Sequence, residues 1–135
     1  MADARVPAPM RSPLGRAIGL GSAKEGVEHW WAERVSAIAL VPLTLWFVAG
    51  LITLIVNGGD RALLISWIGN PVWAVGCVLL LVATFYHSAL GLQVVIEDYV
   101  TGEGLRLGLI IVMRLAHLVL AALGIFAVLK LALAA

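Results

Sequence analysis

The residues of this sequence that are best suited to chemistry are His87, Asp98 and Tyr99, which lie along one apolar stretch. An ionisable side chain at membrane depth is unfavourable, and its presence indicates a functional site. On a helix, Asp98 lies within about 20° of the His87 face and roughly 16 Å further along the axis. Imidazole is a good axial ligand for haem iron. The spacing therefore predicts a ligand in mid-membrane, with a carboxylate and a phenol that suit a quinone at the water boundary.

Each of these groups also has a simpler interpretation. His87 is either an axial ligand or a histidine that hydrogen-bonds to a neighbouring helix. Asp98 and Tyr99 form either a quinone site or an interfacial tyrosine anchor beside a solvated aspartate. Ala83 and Gly91 lie one turn on either side of His87. Such small residues allow a bulky planar group, or another helix, to approach the backbone closely.

Three further polar residues are candidates for the same site. His117 lies about as deep in the last apolar run as His87 does in the middle one. It is a second ligand, a haem propionate contact or a packing residue, and the last two are preferred. Arg114 is unfavourable in lipid and is expected to face the interior. Arg34 either reaches the lipid headgroups or contacts a propionate, because arginine forks suit carboxylates.

The composition is that of a membrane protein. Of the 135 residues, 62% are hydrophobic and 13% are charged, whereas a soluble domain has about 25% charged residues. The length accommodates three membrane spans and excludes a soluble catalytic domain. The net charge of +1 decides little, and no nucleic-acid partner is expected. The single cysteine, Cys77, excludes a disulfide framework and a thiolate metal site, and is read as a buried hydrophobe.

Three apolar runs must position the polar residues, and each exceeds the roughly 20 residues that cross the hydrocarbon core. The expected spans are residues 35–56, 72–96 and 105–133. A turn at residues 57–60 ends the first span. Asn70 and Pro71 begin the second, because proline suits the first helical position. Pro42 is expected to kink the first helix.

The N-terminal segment, residues 1–28, is rich in Pro, Gly, Ala and Arg, and most of it is expected to be irregular. It lacks the apolar core of a cleaved signal peptide. Ser22 is a candidate N-cap, with Glu25 completing a capping box. Residues 29–135 are expected to form the three-helix membrane anchor.

The distribution of basic residues predicts the orientation in the membrane. Five of them precede or open the first span, and the first loop has only Arg61; the five are Arg5, Arg11, Arg16, Lys24 and Arg34. The positive-inside rule then places the N-terminus in the cytoplasm and the C-terminus outside. Trp30 and Trp31 suit the inner interface, and Trp67 and Trp73 suit the outer one. The sequence thus predicts an all-α membrane protein with three transmembrane helices in an up-down-up bundle, and Asp98 and Tyr99 at its cytoplasmic end.

The stretch HSALGLQVVIEDY, from His87 to Tyr99, resembles the H-x10-D-Y signature of the smaller membrane-anchor subunit of succinate dehydrogenase, respiratory complex II. The stretch GLGSAKEGVEHWW at residues 19–31, followed by Arg34-Val-Ser-Ala, is similar to the alphaproteobacterial form of that subunit. The resemblance covers about residues 14–110 and includes the three-span layout.

The resemblance implies a role for each matching position. His87 would be one axial ligand of haem b, and the larger anchor subunit would supply the other. Tyr99 would hydrogen-bond a ubiquinone carbonyl, while Asp98 pairs with an arginine of that partner. Arg34 matches a family arginine near the haem propionates, whereas His117 lies outside the family motif.

The resemblance also implies the place of the chain in an enzyme of the respiratory chain and the tricarboxylic acid cycle. A flavoprotein subunit would oxidise succinate, and an iron–sulfur subunit would pass the electrons on. The chain, with no catalytic activity alone, would dock both at the cytoplasmic face of the bacterial inner membrane. Its C-terminus would then be periplasmic.

Other functions remain open on the sequence. One is the anchor of a fumarate reductase, or of another haem b membrane cytochrome that reacts with quinone. Another is an autonomous haem protein that uses His87 and His117. The last is a non-catalytic membrane scaffold whose polar residues only join helices, which would bind neither haem nor a quinone inhibitor.

Overall fold

The computed structural model describes Leu14 and residues 25–134, and all regular structure in this part of the chain is helical. Three of its four helices are long and apolar enough to cross a membrane. The helices are α1 (Glu25–Val56), α2 (Arg61–Gly69), α3 (Pro71–Tyr99) and α4 (Glu103–Ala132). The predicted all-α fold with three long apolar helices is confirmed. Ser22, the candidate N-cap, lies outside the described residues.

Side-chain caps begin α2 and α3. The backbone N–H of Val72 donates to Asn70 Oδ1 at 2.9 Å. Pro71 occupies the first turn of α3, so this helix begins where the sequence predicts. Asp60 caps α2 by accepting from the Leu63 N–H at 2.7 Å. α2 is not predicted from the sequence, because a nine-residue helix is too short to give the signal of a membrane span.

The bounds of α3 and α1 show where the Asp98–Tyr99 pair and Pro42 lie. Asp98 and Tyr99 are the last two residues of α3, so the helix that carries His87 continues without a break to both. Pro42 lies inside α1, which continues to Val56. Because proline has no N–H, the carbonyl of Ile38 lacks its usual helical donor.

The three long helices form one layer with α3 in the middle. α3 packs against both α1 and α4, whereas no Cα atom of α1 lies within 8 Å of a Cα atom of α4. The arrangement is more open than the expected bundle, and few side chains of the described part are buried. Both broad faces of the helix that carries His87 are therefore accessible to another chain or to a cofactor.

Neighbouring long helices run antiparallel. Residue numbers on α3 fall as those of their partners on α1 or α4 rise. The pairs are Ser36–His87 and Trp46–Trp73 between α1 and α3, and Ser88–His117 and Leu81–Gly124 between α3 and α4. The connections agree with this, since Gly58 and Gly59 turn the chain with positive φ values of 108° and 59°.

A tryptophan cluster joins α1, α2 and α3 at the end opposite Tyr99. The ring centroids of Trp46 and Trp73 lie 4.2 Å apart, and those of Trp67 and Trp73 lie 4.3 Å apart. Trp73 thus packs against both Trp46 and Trp67, besides lying at the helix end where interfacial anchors are expected. Glycine makes the approach of α1 possible, because a Cβ atom on Gly76 would overlap the Trp46 ring.

We expect Gly76→Ala to destabilise the protein by about 1–3 kcal/mol, since the methyl group displaces a rigid indole ring in a packed cluster. The control is Gly108→Ala on α4, where an added Cβ atom meets nothing within 4 Å. Thermal unfolding of the detergent-solubilised protein, followed by circular dichroism, measures the difference. Equal midpoints for the two variants would show that the indole cluster does not require glycine at this position.

Candidate functional site

His87 faces α1 and contacts a buried serine there. Its Nδ1 atom lies 2.9 Å from Ser36 Oγ. Ser36 is 7% exposed and is the only buried polar side chain in the described part, whereas His87 is half-buried. Both lie about 17–18 Å from the nearer ends of their helices, at 1.5 Å per residue. The contact therefore joins α1 and α3 several turns inside the ends of both helices.

The same serine also contacts its own helix. Ser36 Oγ lies 2.9 Å from the carbonyl oxygen of Glu33, which can only accept. When the single hydroxyl hydrogen is donated to Glu33, Ser36 accepts from an N–H at Nδ1 of His87. In that tautomer Nε2 keeps its lone pair. A metal-bound histidine usually donates its other N–H to a fixed acceptor, and this geometry has that form.

Small residues leave space beside this pair. Ala83 and Ser36 line an open apolar groove of about 500 Å³ between α1 and α3. A Cβ atom added to Gly91 would meet nothing within 4 Å. The space expected on either side of His87 is therefore present, and this chain supplies one wall of it.

His117 uses both of its ring nitrogens in packing. Nδ1 lies 2.8 Å from the carbonyl oxygen of Met113 and so donates to it. Nε2 then accepts from the hydroxyl of Ser88 at 3.1 Å. The ring also meets Phe85 edge-on, at 6.0 Å between centroids. Among the roles left open by the sequence, the geometry favours packing between α4 and α3, because ligation would break the bond to Ser88.

Arg114 reaches α3 but contacts neither histidine. Its Nη2 atom donates to Gln93 Oε1 at 2.6 Å. Gln93 Nε2 in turn donates to Glu97 Oε1 at 2.7 Å. Arg114 is exposed in this chain, although its bonded side faces a neighbouring helix.

The guanidinium of Arg34 lies over the ring of Trp30, which is one helical turn earlier on α1. Its Cζ atom is 4.6 Å from the centroid of the Trp30 ring, which is a cation–π distance. Both side chains are exposed. Arg34 can therefore serve a headgroup or a propionate.

Asp98 and Tyr99 are exposed at the end of α3, and Tyr99 retains 82% of its accessible surface. Since α3 is continuous from His87 to Tyr99, the facial alignment predicted for His87 and Asp98 applies. A quinone pocket at this end would need walls from outside the described part of the chain.

The described residues contain no group of three or more His, Cys, Asp or Glu placed to hold a metal ion. What they offer between α1 and α3 is the imidazole of His87, which contacts Ser36 through Nδ1 and lies beside an open groove. This donor set fits haem, whose macrocycle supplies the equatorial ligands and which takes axial ligands from separate helices.

Sequence reasoning missed the side chains that hold the candidate residues in place. Ser36, Ser88 and Gln93 bond to His87, His117 and Arg114 respectively. The available signal was a hydroxyl or amide group inside an apolar run, because such groups usually pair with a neighbouring helix.

Comparisons with known proteins agree on one family. The model of the succinate dehydrogenase/fumarate reductase transmembrane subunit family matches residues 8–129. The chain is 36% identical over 105 residues to the succinate dehydrogenase hydrophobic membrane anchor subunit of Rickettsia bellii, covering 78% of this chain and 82% of that protein. The subunit of the same name from Paracoccus denitrificans is 36% identical over 91 residues, covering 67% and 69%.

Proposed function

This chain belongs to the family of succinate dehydrogenase/fumarate reductase transmembrane subunits, and from that premise we propose that His87 is an axial ligand of haem b and that Asp98 and Tyr99 contribute to a ubiquinone site. Its three long apolar helices and its relatives make it a multi-pass membrane anchor subunit of succinate dehydrogenase.

The observation that carries the haem proposal is the Ser36–His87 hydrogen bond. It engages Nδ1 of the imidazole, so a metal would be bound through Nε2. When bound, haem would supply a one-electron carrier within the membrane. The second axial ligand would come from the larger anchor subunit, as the family resemblance implies, and the engagement of both nitrogens of His117 is consistent with this. Arg34 is the side chain we assign to a propionate.

The quinone proposal uses the exposed end of α3. The Tyr99 hydroxyl donates a hydrogen bond to a ubiquinone carbonyl and so orients the ring. Asp98 pairs with a cationic side chain of the larger anchor subunit. The large exposed surface of Tyr99 is consistent with a pocket whose other walls belong to partner subunits.

The partners and the orientation belong to the same proposal. The chain docks the flavoprotein, which oxidises succinate, and the iron–sulfur subunit at the cytoplasmic face of a bacterial inner membrane. The helices cross in up-down-up order with the N-terminus cytoplasmic, as the basic residues before α1 favour. The chain contributes to quinone chemistry only within the assembled complex.

The test is purification of the tagged chain from its native membranes in a mild detergent. We expect a flavoprotein, an iron–sulfur protein and a second anchor to co-purify, with a haem b band in the reduced-minus-oxidised spectrum. A complex of all four subunits without that band would contradict the haem assignment. Recovery of the chain without these partners would favour the scaffold function.

A further inference from the structure

Arg114, Gln93 and Glu97 form a hydrogen-bonded chain from α4 to the last turns of α3, and the proposed function makes no use of it. Arg114 Nη2 lies 2.6 Å from Gln93 Oε1, and Gln93 Nε2 lies 2.7 Å from Glu97 Oε1. Glu97 directly precedes the Asp98–Tyr99 pair.

The direction of both bonds follows from the chemistry of the groups. A guanidinium can only donate, so the amide oxygen of Gln93 must face Arg114. The amide NH₂ group can then donate to the carboxylate of Glu97. Gln93 is thus an amide bridge between a cation and a carboxylate that do not touch.

Depth explains why Arg114 needs this bridge. Arg114 lies about 16 Å from the start of α4, whereas Gln93 lies about 9 Å from the end of α3, at 1.5 Å per residue. A charged side chain inside a span is unfavourable unless it has a partner. Glu97 also lines an open pocket of about 520 Å³ with Glu28 and His29 of α1, so it lies where polar groups of α1 and α3 meet.

We propose that Gln93 is a positioning residue that couples Arg114 to Glu97 and thereby holds the last turn of α3 in the orientation that Tyr99 needs to meet ubiquinone. This inference rests on the proposed quinone site. It assigns Arg114 to the support of that site in place of a haem propionate. The last turn of α3 is exposed, and exposed helix ends fray unless a contact ties them down.

The first test is Gln93→Leu in the assembled complex. We expect the KM for a short-chain ubiquinone to rise about three- to tenfold, in the lower part of the range of coupling between neighbouring groups. Succinate oxidation by an artificial acceptor and the haem spectrum should not change. The control is Glu103→Gln in the exposed first turn of α4, which removes a carboxylate at the same end of the layer and should leave the KM unchanged.

Exchange of the side chains of Gln93 and Glu97 tests whether the hydrogen-bonded bridge itself matters, rather than polarity at these positions. Gln93→Glu places two carboxylates side by side and should raise the KM, whereas Glu97→Gln keeps an amide oxygen that can accept from Gln93 and should have a smaller effect. Together they place the carboxylate next to Arg114 and the amide beyond it, so both hydrogen bonds can form again with the original net charge. The double variant should return to within about twofold of the wild-type KM. A double variant with the summed defects of the singles would overturn the proposal, as would a Gln93→Leu variant with an unchanged KM.

The Tyr99→Phe variant distinguishes failure of the positioning role of Gln93 from failure of the proposed quinone site. Impaired quinone reduction in Tyr99→Phe, with no effect of Gln93→Leu, would overturn only the positioning role. Normal quinone reduction in Tyr99→Phe would overturn the quinone site and the positioning role with it.

Discussion

The complex carrying His87→Ala is expected to lose or shift the haem b band of its reduced-minus-oxidised spectrum. The substitution removes the only imidazole in the Ser36 contact, and neither Ser36 nor Ala83 can replace a nitrogen ligand. If the spectrum of that variant still showed haem with two imidazole ligands, His87 would be excluded as a ligand.

Two further variants test the source of this effect. Ser36→Ala removes the hydroxyl that contacts Nδ1, and loss of such a supporting bond weakens a metal site by about 10–100-fold. We therefore expect this variant to keep the haem band but to lose haem more readily in detergent. His117→Ala should leave the band unchanged, since His117 bonds to Met113 and Ser88. Loss of the band in His117→Ala would support the autonomous two-histidine haem protein instead.

The second large effect is expected from Tyr99→Phe, which should lower succinate–ubiquinone reductase activity about two- to tenfold, since a hydrogen bond of this kind contributes about 0.5–1.5 kcal/mol. Succinate oxidation with an artificial acceptor should persist, because that reaction occurs in the soluble subunits. The two activities are measured on the same membranes. An equal decline of both activities would indicate that the substitution damages assembly of the complex.

Tyr86→Phe is the matched control for this prediction. Tyr86 is the only other tyrosine of the chain, and it is 52% exposed on the same helix. It lines the grooves on either side of α3 near His87 and lies more than three helical turns before Tyr99. We expect its hydroxyl to be dispensable for quinone reduction. A comparable decline in both variants would argue against a specific hydrogen bond from Tyr99.

Local features of the sequence were sufficient to predict the long helices that carry the candidate site residues. The three long helices follow from runs of apolar residues longer than a bilayer core, and the start of α3 follows from Asn70 and Pro71. The alignment of His87 with Asp98 needs only a continuous helix, which α3 provides. Each of these features depends on neighbours along the chain, so spacing and residue type determine it.

The partners of the candidate residues were decided by tertiary structure alone. Helices that are apolar on every side carry little pattern to show which face packs against a neighbour, because lipid and protein are similarly apolar. Rotation and register therefore selected Ser36 for His87, Ser88 for His117 and Gln93 for Arg114. The same freedom placed α3 between α1 and α4. Spacing alone identified His87 as a possible ligand, and only the tertiary structure showed that Ser36 contacts its Nδ1 atom.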